Sequence, residues 1–185
     1  MHDFDTVYRE FYPKILRYLQ RMCGENDAGD LTQTVFLKVS RSLDTFRGDS
    51  SISTWIYRIA TNTAHDHVSS SQVRQKECEE LPEDEGSPDD YLDSTLPAAD
   101  REYIRREMSA CIRGVINGLP DGYRSVLILS EFDELSNIEI ADVLGISIDA
   151  VKIRLHRARN ILREALKCSC HLYHDERNEL MCDQK

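Results

Sequence analysis

Between positions 74 and 100 the chain holds 10 acidic side chains against 2 basic ones, with Pro82, Gly86, Ser87, Pro88 and Pro97 and few large apolar residues. Such a stretch cannot bury enough apolar surface to offset the entropy of ordering it. It reads as a flexible, solvated acidic linker. It divides the 185 residues into units at 1–73 and 101–167, with a tail at 168–185. Units of that size can stabilise only a modest core, so each must pack tightly. The linker also carries most of the formal net charge of -10. The flanking units are nearly neutral, which excludes a histone-like coat on nucleic acid. Glycine (8) and proline (5) are too scarce for a turn-rich sheet protein. The expected fold class is all-α: two small helical domains joined by the linker. No uncharged apolar run approaches the roughly 18 residues of a membrane helix. Asp3 and Asp5 stand where a secretory signal would carry basic residues. A cytoplasmic protein without membrane insertion is expected.

The first unit follows helical periodicity. Phe4, Val7, Tyr8, Phe11, Tyr12, Ile15, Leu16, Leu19 and Met22 recur every three or four residues up to Gly24, and Pro13 must kink or divide that helix. Asn26 or Asp27 can cap a second helix with Leu31, Val35, Phe36, Val39 and Leu43 on one side. After the turn at 46–51, a third helix places Ile52, Trp55, Ile56, Ile59, Thr63 and Val68 inward. Its other face shows Tyr57, Arg58, Thr61, Asn62 and His65, which alone would pass for an ordinary wet surface.

The second unit is more specific. A helix over about 100–118 leads to Pro120, which starts another. Ser136 can then cap a short helix with Ile140 and Ala141 inward, Gly145 allows a sharp turn, and Ser147 can cap a further helix anchored by Val151 and Leu155. This is the helix-turn-helix pattern. From 147 to 167 that last helix carries Lys152, Arg154, Arg157, Arg159, Arg163 and Lys167 against Asp149 and Glu164. A basic helix directly after a capped helix–Gly–helix turn marks a DNA reader.

With both units read, the chain resembles the extracytoplasmic-function sigma factors, the small two-domain class of the bacterial sigma-70 family, over about 4–72 and 101–167. Residues 27–36 resemble the polymerase-binding helix, 46–49 and 53–62 the promoter-melting segment, and 119–159 sigma domain four. The resemblance implies sigma domain 2 at 1–73, a linker at 74–100 and sigma domain 4 at 101–167. It implies core RNA polymerase and promoter DNA, double- and single-stranded, as partners, with an anti-sigma factor as a further candidate. It implies no catalysis and no cofactor for sigma activity.

On this resemblance Asp30, Gln33, Phe36 and Leu37 would dock on polymerase as apolar anchors in a polar rim. The loop Phe46-Arg47-Gly48-Asp49, continuing to Ser51, would pocket a flipped minus-ten base, and Arg58, Thr61, Asn62 and His65 would follow the unpaired strand. Trp55 suits core packing better than a wedge role. At the minus-thirty-five element, Lys152 and Arg157 would read bases or phosphates in the major groove, Arg154 and Arg159 would hold phosphates, and Ser147 would meet the backbone. Ile153 stands where the family commonly has serine; it would press on a thymine methyl or pack sideways. His156 lies on the same helix. Ser69-Ser70-Ser71 replaces a basic run common in the family, which implies fewer duplex contacts there. The acidic linker would thread polymerase toward its RNA exit channel.

The 6 cysteines fit reduced thiols rather than a disulfide framework. Cys23 and Cys111 fall on apolar helix faces. Cys168, Cys170, His171, His174 and Cys182 concentrate in the tail and exceed the four ligands of a tetrahedral zinc site; copper(I) would accept the thiolates equally. The plain alternative is a short helical tail over 174–181 with incidental cysteines. The tail also resembles the metal-sensing cysteine-rich extensions of some sigma factors. Two other function classes stand beside the sigma reading. A helix-turn-helix regulator that binds duplex DNA without polymerase would have no use for a strand-melting segment. A metalloenzyme would need a carboxylate–base constellation that the sequence lacks.

Overall fold

The computed structural model describes residues 3–77, 112–174 and 180–184, with side chains described over 3–70 and 112–167. Three helices form the first bundle: α1 (Phe4–Cys23), α2 (Glu25–Ser42) and α3 (Ile52–Glu77). Asp3 caps α1 by accepting from the Thr6 backbone N–H at 3.1 Å, and Gly24 (φ 91°) turns the chain into α2. No side-chain cap holds α2, which begins at Glu25 instead of after Asn26 or Asp27. Pro13 lies inside α1 and the helix runs on through it; the exposed imino position costs one intrahelical donor without breaking the element. A single 3-10 turn, Leu43–Thr45, leads into the loop before α3. Ser51 caps α3, accepting from Thr54 N–H at 3.0 Å.

Residues 112–117 are helical, followed by α4 (Asp121–Glu131), α5 (Asn137–Leu144) and α6 (Ile148–Ser169). The start of the helix expected over 100–118, Cys111 and the acidic linker from 78 onward lie outside the described residues, whereas the backbone at 74–77 continues α3. At α5, Ser136 and Glu139 form a reciprocal capping box, and Gly145 closes the helix in the left-handed region at φ 63°. Ser147 accepts from Ala150 N–H at 3.1 Å and so starts α6. The helix-turn-helix read from the sequence is present with its expected caps.

The helical class expected for the two units holds. The tail departs from its helical alternative: Cys170–His174 (β1) and Leu180–Gln184 (β2) pair as an antiparallel ribbon. Cysteine, histidine and tyrosine are weak helix formers, and local pairing wins once the α6 stripe ends. Residues 175–179 lie outside the described ones.

The core is continuous across the bundles. Ile15, Tyr18 and Leu19 of α1, Val35 and Val39 of α2 and Ile56 of α3 are wholly buried. They belong to the same apolar cluster as Val126–Leu129, Ile140, Val151 and Ala158. Helix α3 is enclosed on two sides, by α1 and α2 and by α5 of the second bundle. Cys23 is half-buried, and burial, followed by the nearby Asp27 carboxylate, pushes its thiol up to about 11.

Candidate nucleic-acid interface

Three surfaces carry the residues of interest. The first is the outer face of α2. Asp30, Gln33 and Leu37 lie at i, i+3 and i+7 and are exposed, Leu37 by 57%. Phe36 is not among them. It is 3% exposed and meets the Tyr8 ring edge-on at 4.9 Å and Tyr12 at 5.9 Å. The docking role expected of Phe36 is therefore corrected: its ring fills the α1–α2 contact, and Leu37 is the apolar side chain left outside.

The second surface is the loop after α2. Gly48 adopts φ 77°, which lets Arg47 and Asp49 stand out on either side of a tight bend. Phe46 packs on Trp55 with ring centroids 5.1 Å apart. Beside this pair opens a cavity of about 550 Å³ lined by Phe46, Arg47, Asp49, Arg58 and Asn62. Lys38, Ser42 and Trp55 also line it, and the sequence reading did not assign them there. Lys38 donates to Thr63 Oγ1 at 2.9 Å, which holds its ammonium near the cavity. Its spacing to Ser42, one helical turn, was the available signal. Three cations against one carboxylate favour an anionic ligand, and the aromatic pair offers a stacking wall. Trp55 is both core and wall, so the preference for core packing was half the answer.

Of the four α3 residues expected to follow a strand, only Asn62 is exposed. Thr61 is 1% exposed, donates to Tyr57 O at 2.8 Å and shares a buried hydrogen bond with the Tyr18 hydroxyl. It serves the core and not a ligand. His65 Nε2 lies 3.0 Å from Ser125 Oγ of α4. Arg58 reaches across to α5: Nη2 donates to Asp142 Oδ1 at 2.6 Å, and Nε and Nη2 donate to Asp142 O at 3.0 and 2.7 Å. Tyr57, placed with the wet face by its spacing, is 3% exposed and donates to Asp133 Oδ1 at 2.9 Å. The second oxygen of Asp133 is buried without a hydrogen-bond partner among the described residues. Desolvation holds that carboxyl above its ordinary range despite the Tyr57 hydrogen bond and the nearby Arg21 and Arg17.

The third surface is α6. Val151, Leu155 and Ala158 anchor it, so Lys152, Ile153, His156 and Arg157 share the outward face. Ile153 is 52% exposed and does not pack sideways within the bundle. Lys152 pairs loosely with Asp149 at 3.6 Å, and Arg157 Nη1 stands 3.5 Å from the Tyr123 hydroxyl. His156 lies beside Asn160, and Ser147 is exposed at the helix start. Arg154 lies over α4, where a methyl added at Gly122 would stand 3.3 Å from its Nη1. Arg159 is bound to Glu131, with Nε to Oε1 at 3.1 Å, which leaves it less available to a phosphate.

The two helical bundles, the second with its helix-turn-helix, match known protein families in sequence. Sigma-70 region 2 matches residues 7–74, and Sigma-70, region 4 matches residues 109–162. The RNA polymerase sigma-H factor of Pseudomonas aeruginosa is 34% identical over 166 residues, covering 89% of this chain and 86% of that protein. The ECF RNA polymerase sigma factor SigW of Bacillus subtilis is 34% identical over 182 residues, covering 89% and 88%. The chain is an extracytoplasmic-function sigma factor of the sigma-70 family. Among solved structures the sigma factor shares its fold with RpoE of Bartonella quintana, crystallised with the anti-sigma factor NepR. The TM-score is 0.68 at 21% identity, covering 90% of this chain and 98% of that one. It also resembles CnrH in complex with the cytosolic domain of CnrY, with a TM-score of 0.63 at 23% identity, covering 89% and 88%.

As a sigma factor the chain works with RNA polymerase and promoter DNA, and the reading as a polymerase-independent regulator falls away. Among the described residues no helix of the sigma factor is long and apolar enough to cross a membrane. The side chains of Cys168, Cys170, His171, His174 and Cys182 lie outside the described ones. Cys168 lies in the last turn of α6, and the backbone register of the other four is described: Cys182 stands opposite Leu172, Cys170 opposite Gln184, His171 opposite Asp183 and His174 opposite Leu180.

Proposed function

We propose that this sigma factor docks on core polymerase through Asp30, Gln33 and Leu37 of α2. It takes one unpaired minus-ten base into the cavity beside Phe46 and Trp55 and reads the minus-thirty-five element with Lys152, Ile153, His156 and Arg157. The observation that carries this reading is the cavity of about 550 Å³, which joins three cations to an aromatic wall at the end of the polymerase-facing helix. A nucleotide needs both, charge for its phosphate and a flat face for its base. The domains are proposed at 1–73 and 101–167, joined by the acidic linker at 74–100. The protein acts in the cytoplasm, the bond-forming chemistry belongs to polymerase, and sigma activity requires no cofactor. Run-off transcription with core polymerase tests the assignment. Arg47→Ala and Asn62→Ala should slow promoter opening while core binding is retained, and Leu37→Ala should weaken core binding first. Equal transcription from all three variants would remove the cavity and the α2 face from the mechanism.

An anti-sigma factor is a further proposed partner, supported by the complexes in which RpoE and CnrH, of similar fold, were found. The tail reading is that Cys168, Cys170, His171, His174 and Cys182 supply a zinc or copper(I) site. The ribbon supports it by bringing Cys182 onto the strand next to Cys170, two register positions away. Thiolates would bind either ion only once deprotonated. The test is metal content after purification under reducing conditions. About one ion per chain is expected, lost when Cys168, Cys170 and Cys182 become serine; no ion in the parent protein returns the tail to a plain ribbon.

A further inference from the structure

The positive charge of α6 is not all free for DNA. Lys152 and Lys167 pair with acids of their own helix, Asp149 at 3.6 Å and Glu164 at 2.9 Å, on side chains that are mostly exposed. Arg154 and Arg157 lie over the start of α4, against Gly122 and the Tyr123 hydroxyl. Arg159 is held at the other end of that helix. Its Nε and Nη2, the two donors along one edge of the guanidinium fork, both donate to Glu131 Oε1. The same oxygen accepts from Ser130 Oγ at 3.3 Å. Glu131 is the last residue of α4, where the helix dipole favours a cation and disfavours an acid that has no cation beside it. Arg159 supplies that cation. A phosphate approaching Arg159 side-on would need the same two donors. The Glu131 carboxylate thus fills the edge of the fork that a DNA phosphate would take.

We propose that Glu131 keeps Arg159 off the promoter backbone, so that α6 meets the minus-thirty-five duplex through its Arg154–Arg157 edge and draws its selectivity from the residues that face the bases. The inference rests on the proposed reading of α6 as the minus-thirty-five helix. Phosphate contacts strengthen binding to every duplex alike, whereas contacts to base edges distinguish one sequence from another. Withholding one arginine lowers the shared part and leaves intact the part that Lys152, Ile153 and Arg157 supply. The Glu131 and Arg159 side chains are each about half exposed, and a pair so exposed adds little to folding. Its effect falls on DNA binding instead. Glu131 is a positioning residue that acts through Arg159.

The test uses holoenzyme assembled with the full chain, on a promoter that the parent opens. Single phosphates along the minus-thirty-five element are replaced in turn by neutral methylphosphonates, and the affinity for each fragment is measured. Glu131→Ala should gain one sensitive phosphate that the parent lacks, and its salt slope should steepen by about one. Adding Arg159→Ala should remove the new position, while Arg159→Ala alone should leave the parent's set of positions unchanged. A general change in charge alters affinity without adding a position, so the pattern separates release of Arg159 from mere loss of an acid. Glu131→Gln keeps an acceptor for Arg159 without the charge and should show the same new position more weakly, which keeps the test decisive if Glu131→Ala loses helix content. No new position in either variant overturns the inference. So does a position lost from the parent on Arg159→Ala, because Arg159 would then already hold a phosphate. Lys152→Ala and Arg157→Ala separate the two ideas. If both leave promoter affinity intact, the reading of α6 fails and takes the inference with it. If both weaken binding and no new position appears, the inference alone fails.

Discussion

Phe36 and Leu37 are neighbours in sequence with opposite fates, and their difference is measurable. Phe36 sits in an aromatic cluster with Tyr8 and Tyr12, so Phe36→Ala removes a large buried ring and should cost about 3–5 kcal/mol of stability. Leu37→Ala removes an exposed side chain and should change stability by less than about 0.5 kcal/mol. Thermal unfolding of the two variants checks both numbers, and polymerase binding should follow the reverse order once folding is accounted for. The sequence already held this answer. Val35, Phe36 and Val39 repeat at the spacing of a buried stripe, and only the family resemblance drew Phe36 outward. Thr61 is the similar case on α3. A short polar side chain on a face of polar neighbours gives no sign that Tyr18, 43 positions away, will take its hydroxyl.

At the scale of single elements, local chemistry was the most legible part. Ser136, Glu139, Gly145 and Ser147 specify the two ends of the turn between α5 and α6 through bonds that span three or four residues. The predicted energies are equally local. Ser136→Ala should cost about 1 kcal/mol by removing the cap. Gly145→Ala should cost about 1–2 kcal/mol, and because no atom lies within 4 Å of the added methyl, that cost is backbone strain alone. Denaturant midpoints at constant slope would check both; a much larger loss at 145 would mean the turn cannot hold its φ. Helix α3 was legible only on one side. Its inward stripe follows from periodicity, but its second buried face depends on Asp133 and Asp142, more than 75 residues further along. The ribbon at 170–184 was missed for a different reason: ten residues of weak propensity carry no period long enough to tell strand from helix.

At the scale of the whole molecule, the junction between the bundles should respond to acid. Burial raises the Asp133 carboxyl in the packed state, and the open state returns it to the ordinary aspartate range, so the packed state binds more protons. Packing should strengthen as pH falls from the raised value toward the ordinary one and level off below it. The charged and titratable groups facing Asp133 there are Arg17 and Arg21 of α1 and Tyr57 of α3, and burial drives the Tyr57 hydroxyl upward, out of this window. Scattering radii that shrink on mild acidification for the parent and stay constant for Asp133→Asn would bear this out; equal pH responses would not. The continuous apolar cluster through both bundles has one more consequence. Heat should enter the closed molecule as a single cooperative unit, giving one calorimetric peak whose van't Hoff and calorimetric enthalpies agree. Separating the bundles with Asp142→Ala should divide that heat between two smaller transitions, so a calorimeter distinguishes a one-body molecule from a two-body one.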